Sequence, residues 1–434
     1  MGKCDLGDHF KGQIRMLKII SFISKRRNFI IYSLLKVLIM VLSLVTNIFI
    51  VRKLTVNDYG VFSVALMFIG LITTFGFSWS SSSILYYGSR EKAKTGSINK
   101  TFWARNVIIA VSLILTTILF ALFRNQINDY IGLDVSFLIL IWLYVSVAED
   151  YLIQYFLTVK KQLMSSMLSI TAKVIYLLMV FIFPFDVKTL IMLNIISHAT
   201  VLLYIFGINK SDVGKFEFDK DWFKEVLNFS LWQLFGFSGL YLINFGDTAV
   251  IKHFMTTEDV GIYNAAYKLF NAIASFAFVI SSYYAGSVSQ YFVNNEREKI
   301  KRFFYKERFM IFGLSTVAHI VVMIFSKPII ITLYGERYIQ SVVIFNILMI
   351  GSMFRYLTVF YMLYYNTNKK HKLQQTINIF RAILNAGLDI VFIQIFGLIG
   401  PAIATTIAMF TAFVFSFFYC EKRIKKASKV VENI

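Results

Sequence analysis

Nine ionisable side chains fall inside stretches of the chain that read as membrane spans. The cations are Lys36, Lys173, Lys268, Arg355 and Arg381; the acids are Glu149, Asp150, Asp247 and Asp389. An ionisable group in hydrocarbon is costly, so each is expected to face a partner or a water-filled cavity. Lys173, Arg355 and Arg381 lie near the centres of their spans and the acids nearer the ends, so the midplane reads as cationic. Arg grips an oxyanion with two parallel hydrogen bonds and Lys acts as a point charge, so such a cluster suits an anion. The acids suit exchange of a proton or a sodium ion, Asp150 and Asp247 ahead of Glu149 and Asp389. The alternative is a set of structural ion pairs, for instance Arg381 linked to Asp389 through Asn385, with Lys36 reaching back to the membrane surface.

Helical spacing says which way several of these groups point. Gln374, Asn378, Arg381, Asn385 and Asp389 recur every three or four residues and make one polar stripe. Gln162, Ser165 or Ser166, Ser169 and Lys173 make a second, and Asn264, Lys268, Asn271 and Ser275 a third. A helix polar along one face in an apolar bundle should line water, and Asn264, Asn271, Asn378 and Asn385 would offer hydrogen bonds there. His198 and His371 read as packing residues. No phosphate-binding glycine loop, metal-ligand spacing or nucleophile elbow is present, so neither an enzyme nor a cofactor is expected. The two cysteines, Cys4 and Cys420, stand at opposite ends of the chain.

These residues must be held by a helical membrane protein. Of 434 residues, 57% are hydrophobic and 16% charged, with mean hydropathy +0.66. Soluble domains average about 45–50% and about 25%. The composition therefore excludes a soluble enzyme, a disordered chain and a disulfide scaffold. At about 20 residues per crossing, the apolar runs give twelve spans: 29–51, 59–79, 103–123, 133–157, 163–183, 187–207, 227–251, 260–291, 308–326, 340–365, 373–395 and 399–420. The eighth is too long for a simple span and should protrude. Arg105, Lys188 and Arg308 sit at span edges and are counted here with the adjoining loops. The two tails and five alternate loops then hold 32 of the 44 Lys and Arg residues, against 7 in the other six loops. The positive-inside rule puts both termini in the cytoplasm. The net charge of +20 is thereby mostly topological, and no nucleic-acid partner is expected. No cleavable signal peptide is expected before the first span, and translation could start at Met1 or Met16.

The two halves repeat. Thr55–Ala65 aligns with Thr256–Ala266, Tyr130-Ile131-Gly132 with Leu333-Tyr334-Gly335, and Thr158–Lys161 with Thr367–Lys370. The offset is an even number of spans, so the halves share one topology and are related by an axis along the membrane normal. The fold expected is all-α and polytopic, with two six-helix lobes related by a pseudo-two-fold. The divisions are a basic tail (1–28), an N-terminal lobe (29–207), a cytoplasmic linker (208–226), a C-terminal lobe (227–420) and a second basic tail (421–434). Lys173 maps within one residue of Arg381.

Asn244-Phe245-Gly246-Asp247 followed by Val260–Ala266 resembles the seventh and eighth spans of polysaccharide flippases of the Wzx type. Val51–Leu54 with Asp58-Tyr59-Gly60, and Leu333–Tyr338, resemble the same family, over about residues 29–420. The resemblance implies the multidrug/oligosaccharidyl-lipid/polysaccharide exporter fold in the bacterial cytoplasmic (inner) membrane. Twelve spans favour its O-antigen and capsule branch over the lipid II branch. The implied substrate is a polyprenyl-diphosphate-linked oligosaccharide, carried by alternating access around a cationic central cavity. Its implied partners are the bilayer, a coupling proton or sodium ion, and the polysaccharide polymerase and chain-length proteins. Two other readings compete. A multidrug-type cation antiporter would want an acidic cavity, and a membrane glycosyltransferase or polymerase would want a large exoplasmic loop.

Overall fold

The computed structural model describes residues 31, 34–208, 215–368 and 370–428. The N-terminal tail, residues 209–214 of the linker and residues 429–434 lie outside the described residues, as does the His371 side chain. Among the described residues all regular structure is helical. The helices are α1 (Leu34–Lys53), α2 (Val56–Ile72), α3 (Ser81–Thr95), α4 (Asn99–Leu122), α5 (Arg124–Ile131), α6 (Ser136–Thr158), α7 (Gln162–Ile182) and α8 (Val187–Ile208). In the second half they are α9 (Lys220–Phe254), α10 (Thr257–Val293), α11 (Arg297–Arg302), α12 (Arg308–Ile324), α13 (Ser326–Tyr334), α14 (Ser341–Thr367), α15 (His371–Phe396) and α16 (Gly400–Ser428).

Among the described residues, eleven unbroken helical stretches are long and apolar enough to cross a membrane. The last, Lys372–Lys426, holds both α15 and α16, which reverse at Gly397 (φ +61°) and pack against each other. That makes twelve crossings. Several helices outrun the apolar runs that mark them. Val56–Thr95 is 40 residues long, about 60 Å at 1.5 Å per residue, twice the hydrocarbon core. It continues from α2 through a π turn at Thr73–Phe77, where the Thr73 hydroxyl bonds back to the carbonyls of Ile69 and Gly70. The eighth crossing, α10, has 37 residues and overreaches as its length required. Helix α9 starts inside the stretch read as a linker, because a polar helical turn carries no hydropathy signal.

The repeat is visible in three dimensions. Thr55 caps α2, its Oγ1 accepting from the Asp58 N–H at 3.1 Å; Thr256 caps α10 in the same way with Asp259, at 3.2 Å. Helices α5 and α13 end at Gly132 (φ +85°) and Gly335 (φ +97°), the aligned glycines. Between the lobes, α2 and α10 cross backbone to backbone. A Cβ on Gly60 would stand 1.9 Å from the Thr257 carbonyl oxygen, and one on Gly261 would stand 2.2 Å from that of Val56.

Around this crossing the bundle is shut. Arg52 donates to the Thr332 carbonyl at 3.0 Å and Arg337 to the Val51 carbonyl at 3.1 Å; Ser341 bonds to the Ile262 carbonyl at 2.7 Å. Tyr59, Tyr263, Tyr334 and Tyr338 are all fully buried in the largest apolar cluster. At the opposite end α9 leans onto the N-terminal lobe. Asp219 caps α9 and pairs with Lys100 at 2.9 Å, the Trp222 indole donates to Thr101 at 3.0 Å, and Phe229 stacks on Tyr86 at 5.2 Å. Helix α1, the counterpart of α9 in the repeat, has no buried side chain over residues 34–45.

Two predictions follow from these two ends. Gly60→Ala and Gly261→Ala should each destabilise the protein by about 2–3 kcal/mol, because a backbone carbonyl cannot turn aside. The double variant should cost less than the sum, since one separation of the helices relieves both clashes. Gly286→Ala, with open space around it, should be near neutral. Thermal unfolding of the purified protein checks all three. At the other end, the Asp219 carboxyl is held below its ordinary value, first by the Lys100 hydrogen bond and then by the backbone N–H of Trp222. Its contribution is present above the ordinary carboxylate range and is lost as pH falls through the lowered value. Amide exchange at 220–223 should therefore rise faster on acidification in the wild type than in Asp219→Asn, which keeps the cap without the charge. Identical exchange at every pH would remove the charge from the account.

Candidate functional site

The polar stripe on α15 forms as its spacing requires. Gln374, Asn378, Arg381 and Asn385 line a cavity of about 250 Å³ together with Arg355 of α14 and Asn244 of α9. Thr358 and Tyr365 of α14, and Thr405 and Ser416 of α16, add hydroxyls; the remaining lining is largely apolar. Every lining residue belongs to the C-terminal lobe. The Arg355 guanidinium stacks over the Phe278 ring at 4.6 Å. Neither Arg355 nor Arg381 has an ion pair or hydrogen bond to a carboxylate among the described residues. Tyr267 also lines the cavity, its hydroxyl donating to the Ile243 carbonyl at 2.9 Å.

Asn385 and Thr405 carry the cavity wall into a buried acidic cluster. Asn385 Nδ2 donates to Asp247 Oδ1 at 2.8 Å and to Asp389 Oδ2 at 2.9 Å. Thr405 Oγ1 donates to Asp247 Oδ2 at 2.9 Å, and the Tyr263 hydroxyl donates to the same oxygen. Asp247 is 3% exposed and Asp389 fully buried, and Asp389 Oδ1 has no hydrogen-bond partner among the described residues. Two buried carboxylates sharing one amide need a proton or a cation to balance them.

The other candidates lie elsewhere, so one cluster gathering every intramembrane cation does not form. Lys173 sits in the N-terminal lobe, where Glu149 is the charge it feels. Glu149 is hydrogen-bonded to His198, which is thus a polar partner as well as a packing residue. Asp150 accepts from Ser81 at 2.6 Å and from Arg105 at 3.3 Å. Lys268 reaches the Phe245 ring, 6.0 Å away, and does not line the cavity. Lys36 is exposed on α1 and does not line it either. Asn264 is spent on Thr248 and on its own helix, and Asn271 also stands off the cavity. The alternative link from Arg381 to Asp389 through Asn385 does not form among the described residues, because the Asn385 amide is taken up by the two acids.

Two buried arginines escaped the sequence reading. Arg105 and Arg308 are both 2% exposed, and each stacks at 4.8 Å over a tyrosine, Tyr151 and Tyr361 respectively. Arg105 pairs with Asp150; Arg308 pairs with Glu421 at 2.6 Å. They stand 203 positions apart, the offset that aligns Gly132 with Gly335, and that spacing was the available signal. Their place at span edges had grouped them with the loops.

Residues 26–284 match the family described as polysaccharide biosynthesis protein, and residues 191–432 match the lipid II flippase MurJ family. Among solved structures, lipid II flippase MurJ in an inward closed conformation superposes with a TM-score of 0.75 at 16% identity, covering 92% of this chain and 90% of that one. A multidrug resistance MATE family transporter in an inward-facing conformation gives 0.65 at 16% identity, covering 91% and 96%. A MOP superfamily transporter from Pyrococcus furiosus gives 0.57 at 15%, covering 92% and 95%. At these identities the likeness speaks for the fold. An uncharacterized membrane protein of Methanocaldococcus jannaschii is 21% identical over 259 residues, 57% of this chain; the match spans about half of that relative, 51%. With each family match extending over more than half its length, the chain belongs to the polysaccharide biosynthesis proteins and MurJ-type flippases, within the multidrug/oligosaccharidyl-lipid/polysaccharide exporter superfamily.

Proposed function

We propose that the protein is a flippase. Its substrate would be a polyprenyl-diphosphate-linked oligosaccharide, moved across the bacterial cytoplasmic membrane for assembly of O-antigen or another surface polysaccharide. One observation carries the reading: Arg355 and Arg381 face a cavity whose other lining is uncharged, and among the described residues neither has an ion pair or hydrogen bond to a carboxylate. Two guanidinium groups so placed call for an anion from outside the chain. At about 250 Å³ the cavity is below the range of sites that enclose whole drug-sized ligands. It suits one charged group, the diphosphate or the carboxylate of an acidic sugar, with the remaining glycan between the lobes and the polyprenyl chain in lipid. The amides of Gln374, Asn378 and Asn385 suit sugar hydroxyls.

Transport in this reading is driven by an ion at Asp247 and Asp389. With Thr405, the acids offer oxygen donors alone, which suit a proton or sodium. The shut end around Gly60 and Gly261 faces away from the cytoplasm, and both termini lie inside. Downstream, the polymerase and chain-length proteins would take the product. A cation antiporter on the same fold is the second reading; the arginine-lined cavity disfavours it.

The test is the leaflet position of the lipid-linked glycan after deletion of the protein, read with an exoplasmic glycosidase or lectin. Accumulation on the cytoplasmic side, reversed by complementation, is the expected result. An unchanged distribution in a strain with no second flippase would sink the proposal. Losing either arginine removes a charge-assisted contact of about 1.5–3 kcal/mol. Arg355→Ala and Arg381→Ala should therefore each lower export roughly ten- to hundredfold at unchanged expression, with Arg→Lys intermediate. Asp247→Asn or Asp389→Asn should remove the dependence of export on the ion gradient.

A further inference from the structure

Glu149 and Asp150 are neighbours on α6, so their side chains leave the helix about 100° apart. Asp150 turns to α3 and α4, where Ser81 and Arg105 hold it, and Gln154 donates to its other oxygen at 3.5 Å. Glu149 turns the other way, to α7 and α8. There its Oε2 is bonded to His198 Nδ1, and Lys173 supplies the nearby positive charge. Histidine and glutamate side chains are 15% and 13% exposed. Among the described residues, the charged or titratable groups brought against Glu149 and Asp150 from neighbouring helices are Lys173, His198 and, across Asp150, Arg105.

One carboxylate therefore stands before two bases. The imidazole has won the contact. Lys173 makes no ion pair within 4 Å and no hydrogen bond among the described residues. Imidazole is the side chain that changes charge between about pH 5 and 8.

We propose that Glu149, His198 and Lys173 form a proton-binding site in the N-terminal lobe, separate from the acidic pair in the other lobe. With Nδ1–H donated to Glu149, an incoming proton is taken at Nε2. The imidazolium then competes with the Lys173 ammonium for Glu149, and the cluster passes from neutral to a net single positive charge. That surplus charge is unfavourable in a low-dielectric interior unless an anion meets Lys173. Proton binding and anion binding are thereby linked, and the linkage is reciprocal. The site stands on this geometry whether or not the transported molecule is a lipid-linked glycan.

The experiment follows the imidazole of His198 directly. Full-length protein labelled with ¹⁵N-histidine is placed in lipid nanodiscs, its His198 signal is assigned by loss in His198→Gln, and the shift is followed against pH. Lys173→Met should raise the proton affinity of His198 roughly tenfold, one unit on the pH axis, and Glu149→Gln should lower it by a similar factor. Lys173→Arg should titrate as the wild type does, which separates charge from packing. Inorganic pyrophosphate should raise the affinity in the wild type and leave Lys173→Met unmoved. A midpoint indifferent to both Lys173→Met and Glu149→Gln overturns the site, and one indifferent to pyrophosphate overturns its link to an anion. Neither readout requires transport, so failure of the flippase reading would leave these outcomes intact.

Discussion

The contact on which the architecture turns is the crossing of α2 and α10 at Gly60 and Gly261. Gly60 meets the carbonyl of Thr257, and Gly261 meets that of Val56. Position 56 plus the repeat offset is 257, so the contact is self-complementary, as an interface on a two-fold must be. Each helix N-terminus carries partial positive charge, and two lie side by side here. Asp58 and Asp259 in the first turns, each bonded to its capping threonine, offset that charge. No residue with a Cβ reproduces so close an approach. Because it lies at one end of the bundle, motion of the lobes must pivot near it.

The two-fold governs the scaffold and then stops. Arg105 and Arg308, with their stacked tyrosines, obey it, but their acids do not: Asp150 comes from α6 and Glu421 from the end of α16. Lys173 and Arg381 occupy matching registers and have opposite surroundings. The N-terminal lobe places Glu149 beside its lysine. The C-terminal lobe has Thr358 and Val359 at the matching positions of α14, and adds Arg355 a turn away. Its acids, Asp247 and Asp389, are gathered around Asn385 instead. Among the described residues, one lobe sets a carboxylate near its lysine, and the other keeps a cationic cavity next to a hydrogen-bonded acidic pair. Duplication supplies two copies of a frame, and divergence gives each copy its own arrangement of charge.

Much of this frame was legible in the sequence, because a crossing needs about 20 apolar residues and a water-side loop shows its charge. The helix ends were not. The polar turns of α3, α9 and α11 continue their helices beyond the membrane, where hydropathy falls although helical hydrogen bonding does not. The stripe on α15 was legible, since residues three and four apart on a helix share a face. Which stripes would meet was not, since helical spacing fixes a face and leaves its partner open. Asn264 shows the difference: its stripe is real, yet its side chain serves the packing of α9 on α10. Arg105 and Arg308 were hidden by their position at span edges, where a buried arginine looks like a loop cation.

The two ends of the bundle differ in what opening them would disturb. Parting the shut end exposes Tyr59, Tyr263, Tyr334 and Tyr338, breaks backbone contacts at both glycines, and strands the carbonyls that Arg52 and Arg337 satisfy. Buried aromatic packing of this kind is a large part of a fold's stability. Freeing the start of α9 loses the Lys100–Asp219 pair, about one-third exposed on each side, the Trp222–Thr101 hydrogen bond and a smaller apolar cluster around Tyr87, Ile108 and Val226. Exposed pairs contribute little. Its counterpart α1 has even less to lose, with residues 34–45 already unburied. A structure so unequally fastened should yield first at the α1 and α9 end. The Arg355–Arg381 cavity sits against α9, which lines it through Gly236, Leu240, Ile243 and Asn244. Displacement of that one helix would change access to this cavity while the glycine crossing stays intact.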